Sequence, residues 1–230
     1  MSGDYVVTKQ EIQGFIRAQV NKEFFEELGV LLPQTFQKAL KETQELLIHT
    51  PHEDLRGHLR HSLVQESLAG MRRWNPIIKS TDPKGHNYVL LELGSLRITA
   101  VVLPWQREIR DAKHRSELKT LNESLADTQM DWIDGLKHTV AEQLIHALVV
   151  VHAPPTRSED QSEPRAIMMA VPYFNGKGFH MNCTFEDLLQ SYSDNEAVQQ
   201  KPVELVKLRD KMRRAEETED QADDEQNAKR

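Results

Sequence analysis

Apolar residues recur at helical spacing through the first third of the chain and at strand spacing beyond it. Ile12, Phe15, Ile16 and Val20 follow "TKQE" at Thr8 to Glu11, where a Thr hydroxyl and a Glu carboxylate three residues apart can satisfy each other's backbone donors as a capping box. A first helix is expected there, with Gly29 as its stop. A second is expected from about Pro33 to Ile48, carrying Phe36, Leu40, Leu46 and Leu47, and it ends where Pro51 pushes the preceding residue out of helical angles. A third covers roughly Asp54 to Arg73, with Leu55, Leu59, Leu63 and Trp74 along one face. Long helices joined by short breaks suit an antiparallel bundle, and they are too long for a helix-turn-helix reader.

"STDPKGHN" is a cluster of turn formers at which the period changes from helical to alternating. "YVLLEL" and "LRITAVVLP" flank Gly94-Ser95 and predict a hairpin; "AIMMAVPYF" and "FHMNCTF" flank "NGKG" and predict another, because Asn-Gly supplies the positive backbone angles of a tight turn. Between them, Arg107 to Leu125 reads as a charged helix and Trp132 to Leu148 as an amphipathic one running into a strand near Val149 to Val151. "TFED" at Thr184 to Asp187 caps a short helix, and after Pro202 a basic helix over Val203 to Arg214 precedes an acidic end of disordered composition. The expected fold is α+β: an N-terminal three-helix unit packed with a mixed, mainly antiparallel sheet of two hairpins and crossing helices, with a C-terminal helix and acidic tail appended. The expected division is 1–80 helical, 81–200 α+β, and 201–230 helix and tail.

The stretch "HTVAEQLIHALVVVH", residues 138 to 152, is the most chemical in the chain. On a helix, Trp132, Ile133, Leu136, Val140, Leu144, Ala147 and Leu148 share one arc, while His138, Glu142 and His146 form a stripe on the other. His138 and His146 are then about 12 Å apart along the axis, too far for bonds of about 2 Å to one ion. A metal would use Glu142 with one of the two His, plus donors from elsewhere, with His114, His152 and His180 as candidates. Otherwise the stripe is a solvated or partner-facing surface.

"HEDLRGHLRH" places His58 and His61 on one helix face with Arg56, Arg60, Arg72 and Arg73 nearby. This is either a phosphate- or acid-binding face or a solvated basic one, since Glu53, Asp54 and Glu66 interrupt the charge. Arg97 and Thr99 alternate with apolar neighbours, and Tyr173, Asn175 and His180 would join them in a polar groove if the two hairpins share a sheet. Cys183 and His180 point to opposite faces of a strand, so the thiol reads as a core group rather than a nucleophile.

Composition narrows the classes. The chain has 38% hydrophobic and 28% charged residues, a mean hydropathy of −0.61 and one cysteine, as expected of a globular protein without internal disulfides in a reducing compartment. No apolar run approaches the ~20 residues of a membrane span, so a cytoplasmic location without membrane partners is expected. Net charge is −7, of which the last sixteen residues, with seven acids against Lys229 and Arg230, supply −5. The remaining body is nearly neutral, which argues against nucleic-acid binding by bulk charge but leaves a local patch open. Walker, dinucleotide-binding, nucleophile-elbow and C-x-x-C motifs are absent. Asp82 and Glu92 lack the acid-x-Lys partner that a two-metal nuclease would want.

The leading expectation is therefore a non-enzymatic binding or regulatory protein acting through protein contacts or self-association, with no cofactor. The alternatives are a hydrolase or nuclease taking a divalent metal at His138, Glu142 and His146, and nucleic-acid binding through the helix at 54–73.

Overall fold

A computed structural model describes residues 7–125 and 144–193 of the chain. The fold is α+β. Three helices, α1 (Lys9–Gln19), α2 (Lys22–Leu46) and α3 (Glu53–Gly70), and a 3₁₀ turn at Arg72–Trp74 precede a six-stranded sheet. The strands are β1 (Pro76–Ser80), β2 (Asn87–Leu93), β3 (Leu96–Leu103), β4 (Ile145–His152), β5 (Ala166–Pro172) and β6 (Phe179–Thr184), paired in chain order. All pairs are antiparallel except β3–β4. The connection between those two carries α4 (Lys113–Lys119) and a 3₁₀ stretch at Thr120–Leu125. A last helical stretch occupies 185–193, and its start is capped by the Thr184 hydroxyl, which accepts from the Asp187 N–H at 3.1 Å.

The capping box forms as expected: Thr8 N–H donates to the Glu11 carboxylate at 2.8 Å, and Glu11 N–H to the Thr8 hydroxyl at 3.3 Å. The first break does not fall at Gly29. It falls at Val20 and Asn21, both extended, and α2 runs through Gly29 and Pro33 because Phe24, Phe25, Leu28, Leu32, Phe36 and Ala39 make one continuous buried stripe. Packing along that stripe overrides two weak helix formers. Thr43–His52, Phe36–Arg60 and Thr35–Ser67 contacts pair α2 with α3 in opposite chain directions, so the two helices are antiparallel.

Two strand assignments also differ from expectation. β1 lies where the third helix was expected to fade, and "STDPKGHN" turns the chain between β1 and β2. The segment from Ile145 to Leu148 is strand rather than the end of an amphipathic helix. β4 is central and buried on both faces, so it shows a continuous apolar run instead of alternation, and Ala147 and Leu148 fall at helical spacing with the preceding Leu144 by coincidence.

Pleating assigns the side chains to two faces. Leu91, Ile98, Ala147, Val149, Met169 and Cys183 are buried on the face against which α1 and α3 pack. On the opposite face Val101, Leu103, Leu148, Val150 and Ala170 form a second apolar cluster, joined by Ile109 and Met168.

The sheet has two gaps, each filled by an amide side chain. β2 and β3 pair from Leu93↔Leu96 to Leu91↔Ile98. At the next position, Val89 opposite Ala100, the Gln65 amide is inserted: it accepts from Val89 N–H at 2.8 Å and donates to the Ala100 carbonyl at 3.1 Å. β4 and β5 pair as far as Leu148↔Ala170. At the position beyond, where Pro172 has no N–H to give, Asn122 accepts from His146 N–H at 2.8 Å and donates to the carbonyls of His146 and Pro172 at 2.9 and 2.8 Å.

Candidate functional site

The expected His-Glu-His helix stripe is not what the chain builds around His146. His138 and Glu142 lie outside the described residues. His146 sits on β4, fully buried beneath the β3–β4 connection, with Nε2 3.0 Å from the Thr99 hydroxyl and Nδ1 without a partner. Burial, with added repulsion from His114, Arg115 and Lys119, pushes its pKa down to about 3. It is a neutral imidazole at physiological pH, and as a strand residue it cannot belong to a helix stripe. Among the described residues no group of three or more His, Cys, Asp or Glu is placed to hold a metal.

The basic face expected on α3 also divides. Arg56 and Arg60 point inward, with relative exposures of 9% and 4%. Arg60 donates to the carbonyl and the side-chain oxygen of Gln161 and lies over the Phe36 ring, 4.6 Å from its centroid. Burial, aided by Arg56, lowers its pKa to about 10. Arg60 thus joins α3 to α2 and the 153–165 loop, and neither buried arginine is offered to a phosphate at the surface. Arg72 and Arg73 are exposed; Arg73 pairs with Glu23 and covers the Trp74 ring.

His58 is exposed, and His61 is half-buried in a cluster that the sequence did not reveal. His61 lies within electrostatic reach of His86, Arg115 and His58, and the His114 ring stacks on Tyr88 with centroids 4.4 Å apart. Desolvation first, and these like charges next, lower the pKa of His61; for His114 desolvation and then Arg115 lower it, against an opposing effect of Glu117.

The two hairpins do share one sheet, yet Arg97 and His180 do not meet. Arg97 bonds to Glu92 at 3.3 Å and to the Gly94 carbonyl. His180 contacts Tyr173 edge-on at 4.5 Å. β3 and β6 are separated by β4 and β5, three steps of about 4.8 Å.

What the sheet face opposite α1 and α3 does carry is a groove of about 520 Å³. Its lining includes Leu103, Val150, Met168 and Ala170 from the sheet, Arg107, Glu108 and Ile109 from the segment after β3, His152 and Asn182 at strand positions, and Gly176 to Phe179 from the β5–β6 turn. The turn forms one wall and is held in place. Tyr173 N–H donates to the Gly178 carbonyl at 2.9 Å, and Lys177 N–H to the Asn175 side chain at 2.9 Å. Gly178 has φ +144°, and the Tyr173 ring lies where a Cβ would project, 2.7 Å away. A Cβ built at Gly176 would meet the Lys119 ammonium, which is paired with Asp111 at 2.9 Å, so the turn passes beside the end of α4. Beside the groove Tyr173, Phe174 and Phe179 are exposed, at 36%, 40% and 37%.

Of the groove residues, sequence reading singled out only His152, as a metal donor. The rest come from separate stretches, and the one local signal was the pair of glycines flanking Lys177. Cys183 is buried on the opposite sheet face, and burial raises its pKa. No helix among the described residues is long and apolar enough to cross a membrane.

No protein-family model matches the chain, and no curated protein or solved structure is significantly similar to it.

Proposed function

We propose that the protein is a non-enzymatic binding protein of regulatory type that acts through protein contacts, and that the β5–β6 turn is its contact surface. The observation that carries this reading is the exposure of three aromatic side chains, Tyr173, Phe174 and Phe179, on and beside the β5–β6 turn. Aromatic residues concentrate at interface hot spots because each buries a large area at little cost in side-chain freedom. A turn closed on itself by the Tyr173–Gly178 and Lys177–Asn175 hydrogen bonds loses less freedom when a partner docks than an open loop would.

Matched affinity captures with the full chain and its Phe174→Asp variant, quantified by mass spectrometry and paired with light scattering, test the proposal. The expected outcome is one partner, or a second copy, whose recovery falls by about tenfold or more in the variant, as for a hot-spot loss, while the melting temperature is unchanged. A monomer whose captured proteins are the same with and without Phe174 overturns it.

A further inference from the structure

We propose that the groove between the β5–β6 turn and the segment after β3 is a binding site for a small amphipathic monoanion, a carboxylate with an aliphatic body. This goes beyond the protein-contact reading and stands independently of it. The volume of about 520 Å³ lies within the range of about 300–1,000 Å³ typical of small-molecule sites. The floor and one wall are aliphatic, made by Leu103, Val150, Met168 and Ala170 with Ile109, and suit an apolar body.

The mouth is charged and unspent. Arg107 and Lys177 line it, and neither takes part in an ion pair among the described residues. Glu108 contributes the one carboxylate of the lining, so the mouth carries a single net positive charge, which complements one negative head group and disfavours a cation. His152 and Asn182 add polar side chains to the lining beside the aliphatic floor. The turn is closed by its own hydrogen bonds, and β4 and β5 are paired along the floor, so both features are formed without a ligand.

The test is calorimetric titration of the full chain with decanoate, with decanol as the neutral counterpart and the Met168 methyl resonance as a local probe. Saturable 1:1 binding of decanoate that shifts the Met168 methyl is expected. The Arg107→Gln, Lys177→Gln double variant should bind decanoate at least tenfold more weakly yet bind decanol as the parent does. Both substitutions lie at the mouth rather than in the packed floor, so this variant keeps the test meaningful if Met168→Trp, which fills the groove and should abolish binding, does not fold. Phe174→Asp should leave decanoate binding unchanged, which separates this site from the protein-contact surface. No saturable binding up to millimolar decanoate, equal affinity for decanol and decanoate, or binding that survives the loss of both cations overturns the proposal.

Discussion

Asn122 shows how one side chain can stand in for a strand. At the end of β5 the residue in register with His146 is Pro172, which has no N–H for the His146 carbonyl, and the His146 N–H and the Pro172 carbonyl at this position meet Asn122 instead of each other. A primary amide has the donors and the acceptor to satisfy all three, and Asn122 is placed to do so. Replacing it with Ala removes those bonds without giving water a way in. An unsatisfied buried group costs about 1–3 kcal/mol, so Asn122→Ala should destabilise by about 3 kcal/mol or more in urea unfolding. Sequence alone gave no sign of this role: a polar residue in a charged stretch looks solvated until β4 and β5 are placed around it.

At the level of elements, what was legible depended on whether local pattern and tertiary environment agreed. The hairpins at Gly94-Ser95 and "NGKG" were readable because turn chemistry and alternation coincide there. β1 was not, since it is short, starts at Pro76 and lies at the sheet edge. β4 was misread because a strand buried on both faces loses the period that identifies strands. The groove was out of reach for another reason: its residues come from 103–109, 150–152, 168–170 and 176–182, and only the topology brings them together. α2 carries its own prediction. Gly29 lies inside the helix, and a Cβ built there meets nothing within 4 Å. Gly29→Ala should therefore stabilise the protein by about 0.5–1 kcal/mol, through reduced freedom of the unfolded chain and better helix propensity, measured as a higher urea midpoint with an unchanged slope. The opposite holds at Gly94, whose φ is +56° and where a Cβ would strike the Gln19 side chain that accepts from Ser95 N–H.

For the molecule as a whole, the histidines set the response to acid. His61, His114, His146, His152 and His180 all have lowered pKa values, with burial the largest cause in each. The folded state therefore binds fewer protons than the unfolded one. The stability they confer is complete above the ordinary histidine value of 6.5 and is lost as pH falls from there towards the folded values, about 3 for His146. One proton difference corresponds to about 1.4 kcal/mol per pH unit. Urea unfolding at pH 7.5 and 5.5 should show a clear loss of stability on acidification, and His146→Gln should flatten the slope between pH 6 and 5 by about that amount. An unchanged slope would mean that His146 takes up its proton in the folded state.

The two inserted amides also bear on how this chain reaches its structure. Strand pairs usually zip outward from a turn, one residue pair after another. Here the β2–β3 zipper halts at Val89, and the next bridge waits for a side chain from α3; the β4–β5 ladder halts at Leu148, and its continuation waits for Asn122. Neither ladder can be completed by local propagation alone. Completion of the central sheet is thereby tied in time to helix docking on one side and to arrival of the connecting segment on the other, so the two layers gain their final order together rather than in sequence.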